Sequence, residues 1–154
     1  MQKITPFLWF DGKAEEAMKF YVSIFKNSKI LSANRFQLDG QEFLVLNGGP
    51  QFTFSPAVSF FVNCETQQEV DELWEKLSEG GQKHQCGWVQ DKFGVSWQIV
   101  PRMLPELLGG DAERTDRVMR GVMGMKKLDI AQMERAASSN YARRSIGRHI
   151  RGPQ

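Results

Sequence analysis

Histidine and cysteine are both scarce. The chain of 154 residues holds two histidines, His84 and His149, and two cysteines, Cys64 and Cys86. Two cysteines outside a Cys-x-x-Cys pair do not make a disulfide-stapled secreted domain. Two histidines give little from which to build a two-His-one-carboxylate metal centre, and both are expected as exposed side chains. No apolar run approaches the ~20 residues of a membrane-spanning helix. The segment Met1–Pro6 lacks the charged-then-apolar pattern of an export signal, so a cytoplasmic location with no membrane attachment is the expectation. Charge of one sign is also in short supply, at a net +2. That total does not call for a nucleic-acid partner. The excess sits in residues 139–154, where Arg143, Arg144, Arg148 and Arg151 stand with no acid. By composition this basic tail is expected to be disordered and solvated.

What is present is ordinary for a globular protein: 41% hydrophobic and 25% charged residues. Ile4 to Phe10 predicts a strand, with Thr5, Phe7 and Trp9 on one face and Ile4, Leu8 and Phe10 on the other. Asp11 is placed to cap the helix that follows. Ala14, Ala17, Met18, Tyr21, Ile24 and Phe25 recur on that helix at helical spacing. Lys29 to Leu38 predicts a strand, Asp39-Gly40 a hairpin turn, and Glu42 to Leu46 the return. Asn47-Gly48-Gly49-Pro50 reads as a plain turn into a short strand over 51–55, not as a cofactor loop between a strand and a helix.

The pattern then restarts. Val58 to Cys64 predicts a strand, with Ser59, Phe61 and Asn63 on one face and Phe60, Val62 and Cys64 on the other. Thr66-Gln67-Gln68-Glu69 has the form of a capping box. Val70, Leu73, Trp74 and Leu77 form one helical stripe, ended by Gly80-Gly81. A short strand near 82–84 precedes a hairpin from Cys86 to Pro101, with Gly94 supplying the positive φ of its turn. The two β-α-β-β-β units are offset by about 54 residues, which places Thr5 on Ser59, Phe7 on Phe61 and Phe20 on Trp74. Beyond Pro101 the chain turns helical. Asp111 opens a segment with Val118, Met119, Val122 and Met123 on one side, a Met-rich face suited to cover the body or a second chain, and Leu128 to Ala137 forms a last helix. The expectation is one domain over residues 1–138, made of units about 1–56 and 57–101 with helices over 102–138, followed by the tail.

Several stretches together carry a family likeness. They are Ile4-Thr-Pro-Phe-Leu-Trp-Phe-Asp-Gly-Lys-Ala-Glu-Glu-Ala17, Phe43-Leu-Val-Leu-Asn-Gly-Gly-Pro50, Val58-Ser-Phe60, Cys86-Gly-Trp88, Asp91-Lys-Phe-Gly-Val-Ser-Trp-Gln-Ile-Val-Pro101 and Met123-Gly-Met-Lys-Lys-Leu-Asp129. The chain resembles the vicinal oxygen chelate superfamily and, within it, the PhnB-like group often labelled 3-demethylubiquinone-9 3-methyltransferase. The resemblance implies an α+β fold of paired βαβββ units, of the glyoxalase/bleomycin-resistance/dihydroxybiphenyl-dioxygenase kind, with C-terminal helices. It also implies a cavity held by curved half-barrels of sheet, and a homodimer.

Metal-using members of that superfamily place ligands on four strands, and the matching positions here are Thr5, Thr53, Ser59 and Gln98. Three of these are poor ligands for a divalent transition metal, so no metal site and no cofactor are expected. The same positions, with Asn63 and Ser96, would instead line a pocket with neutral hydrogen-bonding groups. Phe7, Trp9 and Phe61 would supply aromatic walls, with Cys86 and Trp88 at the mouth. The implied partner is a small organic, partly aromatic molecule. Two classes stay open: a binding protein that sequesters a compound, or an enzyme (a glyoxalase-like lyase or dioxygenase, or the nominal methyltransferase) using an unrecognised metal or cofactor, in which Gln98, Trp88 and Cys86 assist a transformation or host a cofactor. Cys64 is expected in the core. Glu42 and Asp91, near turns, are candidates for a cavity rim.

Overall fold

The computed structural model describes residues 2–138, so the tail over 139–154, with His149, lies outside the described residues. Two βαβββ units follow one another in the chain. The first comprises β1 (Phe7–Phe10), α1 (Ala14–Ile24), β2 (Lys29–Ser32), β3 (Arg35–Leu38) and β4 (Gln41–Asn47); the second comprises β5 (Ser59–Cys64), α2 (Gln67–Ser78), β6 (Gln82–Lys83), β7 (Trp88–Gln90) and β8 (Ser96–Pro101). Three helices follow, α3 (Leu104–Leu108), α4 (Ala112–Met123) and α5 (Ile130–Ala137). Each βαβββ repeat forms a four-stranded sheet, in the order β1-β4-β3-β2 and β5-β8-β7-β6. The fold is therefore α+β, with paired βαβββ units and C-terminal helices.

By contacts, one compact unit takes the residues up to Ser59 with Glu75–Gln82 and Gln90–Ser96; the other takes Phe60–Trp74, Lys83–Val89 and the described residues from Trp97 on. In the first, β1 runs parallel to β4, and β3 is antiparallel to both β4 and β2. Helix α1 packs on this sheet through Ala14, Ala17, Met18 and Tyr21. The ring of Tyr21 stacks on Phe36 at 5.9 Å and Phe36 on Phe43 at 4.9 Å, so this core is largely aromatic. Helix α1 starts two residues later than Asp11 would place it. Gly12, at φ +70°, redirects the chain, and the N-cap position falls on Lys13, whose side chain makes no capping bond. The amide of Ala14 donates instead to Oδ1 of Asn47, the last residue of β4, at 2.9 Å. A residue 33 positions away thus satisfies one of the open amides of the helix.

Two strand expectations change. The predicted strand over Lys29–Leu38 is two strands, β2 and β3, broken at Ala33-Asn34. The stretch 51–55 is not a strand: prolines at 50 and 56 bracket it and its rings turn back onto β1. Phe52 meets Trp9 edge-on at 5.1 Å and Phe54 meets Phe10 at 5.3 Å. The fourth strand of the first sheet is thus β4.

In the second unit the hydroxyl of Thr66 accepts the amide of Glu69 at 3.1 Å, as a capping box requires. The return bond lands one residue early, from the amide of Glu65 to Glu69 Oε2 at 2.8 Å. Asp111 and Asp129 cap α4 and α5 by accepting the amides of Arg114 and Gln132. A separate helical core gathers Val100, Val118, Val122, Met125, Leu128 and Met133. Met119 and Met123, expected with Val118 and Val122 on a face that covers the body or a second chain, are exposed, while Met125 and Met133 fill the core. The segment between α4 and α5 is tied down by Gln67. Its Nε2 donates to the Leu128 carbonyl at 3.0 Å and its Oε1 accepts the Ile130 amide at 2.8 Å.

Candidate functional site

The first sheet has two unlike faces. Side chains alternate along each strand, and the pairing register carries that alternation across the sheet. Leu8, Phe10, Phe36, Leu38, Phe43 and Val45 are buried on the helix side. The other face carries Phe7 and Trp9 from β1, Glu42, Leu44 and Leu46 from β4, and Arg35 and Gln37 from β3. Phe7 stands beside Leu44, Leu44 beside Arg35, and Glu42 beside Gln37. Phe7 remains 57% exposed. Trp9 is half-buried and fixed: its Nε1–H donates to the Gly49 carbonyl at 2.9 Å, and Gly48 lies so close to the indole that a Cβ there would overlap it. Nearby, the Gln2 side chain exchanges two hydrogen bonds with the Glu42 backbone and donates to the hydroxyl of half-buried Thr5 at 3.4 Å.

Arg35 and Glu42 are a charged pair on this face. Arg35 Nη1 lies 3.3 Å from Glu42 Oε2, with the side chains 34% and 26% exposed. They are diagonal neighbours on adjacent strands. Of the other sequence-derived residues in this unit, Thr53 is exposed and outside any strand, Ser59 opens β5 half-buried, and Ser96 opens β8 buried.

In the second unit Phe61 and Asn63 are exposed on β5, alternating with Phe60, Val62 and Cys64. Phe60 packs on Trp97 at 5.2 Å. Trp88 on β7 and Gln98 on β8 are half-buried. Cys86 is half-buried too and packs against the helical core. Its backbone has φ +58°, and its amide and that of Gly87 donate to the carbonyls of Met125 and Lys126, both at 2.8 Å. Cys64 is core, as expected. Burial first, then the Glu69 carboxylate, pushes its thiol up to about 12, against a smaller downward pull from the Val100 backbone.

Asp91 is not a rim residue. It is 3% exposed, and its Oδ1 accepts the amides of Phe93 and Val95 at 2.9 and 3.0 Å, closing the β7–β8 turn. Its Oδ2 accepts the hydroxyl of Tyr21 at 2.6 Å. Burial, then the charge of Asp91 and the hydrogen bond to it, holds the Tyr21 phenol well above its ordinary range. Gly94 has φ +90°, as the turn demands.

A resident metal of the kind used by vicinal oxygen chelate enzymes does not fit the residues present. Of the mapped positions, Thr5 and Ser59 carry only hydroxyls and Thr53 lies outside any strand. The carboxylate of this face, Glu42, is paired with Arg35. Among the described residues no three His, Cys, Asp or Glu side chains gather as they would around a metal ion. Arg35 was missed in the sequence, although its alternation with Phe36 and Leu38 already put it with Gln37 on the uncovered face.

A model of the family described as 3-demethylubiquinone-9 3-methyltransferase matches residues 2–36 and 31–100. The chain belongs to this family. A Bacillus cereus PhnB protein, whose description names the same methyltransferase, is 41% identical; the match covers 63% of this chain and 97% of that one at a TM-score of 0.60. Protein PA1353 from Pseudomonas aeruginosa is 20% identical over 63% of this chain and 95% of its own, at a TM-score of 0.52, a likeness of fold alone. No curated protein matches the chain. No described helix is long and apolar enough to cross a membrane.

Proposed function

We propose that this member of the 3-demethylubiquinone-9 3-methyltransferase family is a vicinal oxygen chelate protein that binds and sequesters a small, partly aromatic organic molecule without a resident metal. The observation that carries this reading is the uncovered face of the first sheet. Phe7 is presented to solvent there, and Trp9 is held rigid by Gly49 on a strand whose opposite side is core. Fixed aromatic surface with a few polar groups beside it is what recognises a small organic ligand. In the second unit, Phe61 and Asn63 repeat the pairing of an exposed ring with a neutral polar group. The reading includes a cytoplasmic location and a homodimer.

The test is a titration of the purified protein with a panel of single-ring and fused-ring compounds, followed by tryptophan fluorescence and thermal shift. Saturable binding that weakens in Phe7→Ala is the expected result. A panel that changes neither signal at millimolar concentration would remove the proposal. One stoichiometric transition metal per chain, in protein purified without chelator, would remove its metal-free part. Light scattering at a single chain's 17.6 kDa would remove the dimer.

A further inference from the structure

Resting on that reading, we propose that the Arg35–Glu42 pair is the polar anchor of the ligand. The uncovered face of the first sheet would then select an uncharged aromatic molecule whose hydrogen-bond acceptor sits next to a donor, as in a primary carboxamide. The pair has apolar neighbours on one side, where Phe7, Leu44 and Arg35 form one row across β1, β4 and β3 and Trp9 and Leu46 form the next; on the other side Glu42 stands beside Gln37 and Gln2. Two strand spacings, about 10 Å, separate the Phe7 and Arg35 backbones, so a one-ring ligand with a short polar group reaches from one side chain to the other.

The pair is also loosely made. Its single 3.3 Å contact is longer than the ~2.7–2.9 Å of a tight charge-assisted bond and engages one nitrogen of a guanidinium that carries five N–H donors. On the surface of the second unit, Arg102 Nη1 and Glu65 Oε1 close to 2.7 Å despite far greater exposure. Half-buried and joined by one long contact, Arg35 and Glu42 offer a donor and an acceptor side by side. Their charges cancel. A carboxylate ligand drawn to Arg35 meets Glu42, and an ammonium drawn to Glu42 meets Arg35. A carboxamide satisfies both, its oxygen accepting from Arg35 and its N–H donating to Glu42.

The test uses three single-ring probes that differ in charge, benzamide, benzoate and benzylamine, titrated into the full chain and followed by NMR at the Trp9 indole N–H. Benzamide is expected to bind most tightly. Arg35→Met should weaken it about tenfold, the loss of one charged hydrogen bond. Glu42→Gln should invert the preference toward benzoate, a change that a merely structural role would not produce. Circular dichroism and Arg35→Lys control for folding. If all three probes bind alike, respond to Phe7→Ala and ignore Arg35 and Glu42, this inference falls and the binding proposal stands. If none binds while another compound of the panel does, the inference falls and the binding proposal stands; if nothing in the panel binds, both fall. If Arg35→Met changes the association state in light scattering and leaves benzamide affinity unchanged, the face is a contact between two copies and the inference is overturned.

Discussion

Replacing Tyr21 with Phe isolates one hydrogen bond in the core of the first unit. The ring keeps its stack on Phe36 and its edge contact with Phe93 at 6.0 Å, because neither uses the hydroxyl. What is lost is the 2.6 Å bond to Asp91 Oδ2, inside a site where Tyr21 is fully buried and Asp91 nearly so. A hydrogen bond to a charged group contributes about 1.5–3 kcal/mol. For a chain of this size that is a fall in Tm of very roughly 3–12 °C. Asp91→Ala should cost more, since it also strips the acceptor from the Phe93 and Val95 amides that close the turn.

The pH dependence separates this account from a packing defect. The folded-state pKa of Tyr21 is raised, so above pH ~10 the unfolded chain releases a proton that the folded chain keeps. The unfolded state then binds fewer protons, and stability falls with rising pH. The contribution of Tyr21 is therefore complete below pH ~10 and is lost as pH climbs toward the folded-state value. Urea midpoints of wild type and Tyr21→Phe should differ most at pH 7 and converge above pH 10. A difference that stays constant across that range would show that the phenol's proton is not what the Asp91 bond holds, and the reasoning would be wrong.

Three further outcomes are expected. Gly48→Ala should destabilise by about 1–3 kcal/mol, since its Cβ overlaps the Trp9 indole, and should move the Trp9 indole resonance as the bond to Gly49 breaks; urea unfolding and NMR read both. Cys64 should resist iodoacetamide in native protein at pH 8 and label only on unfolding, because burial and a thiol pushed up to about 12 leave almost no thiolate; peptide mass mapping reads it. Gln67→Ala should speed hydrogen exchange at the Ile130 amide by about tenfold or more, since the acceptor holding that amide is gone.

Local chemistry in the sequence carried the element order, because each element announces itself over a few residues. Thr66, Asp111 and Asp129 lie next to the helices they cap, and the alternation in β5 is complete within six residues. What failed was long-range. Asp11 was a sound local cap, but the amide of Ala14 found Asn47, brought there by the β1–β4 pairing. Asp91 looked like a rim residue because it sits in a turn. Its burial depends on Tyr21, 70 positions away. The stretch 51–55 alternates like a strand, yet its rings bind Trp9 and Phe10 rather than a ladder. The polar part of the candidate site was hidden for the same reason. Arg35 and Glu42 belong to different strands, and only the register shows that they meet diagonally beside the row of Phe7 and Leu44.

The same long-range view bears on the methyl-transfer chemistry in the family's description. Glycine pairs after a strand are read as cofactor loops when the backbone must approach a ligand closely. At Asn47-Gly48-Gly49-Pro50 that approach has another cause. The backbone at 48 is pressed by the indole of Trp9, the carbonyl of Gly49 accepts its N–H, and Gly49 adopts φ +97°. Asn47 meanwhile caps α1 from outside the helix, so its side chain is occupied with fold. Both glycines and the asparagine are explained by the need to lock one aromatic side chain and one helix start, and no cofactor is needed to explain them. What that locking produces is a rigid Trp9 on the uncovered sheet face, next to exposed Phe7. If the turn serves the function of this chain, it does so by holding that aromatic surface still. Gly48→Ala should then weaken aromatic probes in step with its effect on the Trp9 indole, even though residue 48 need not touch the ligand.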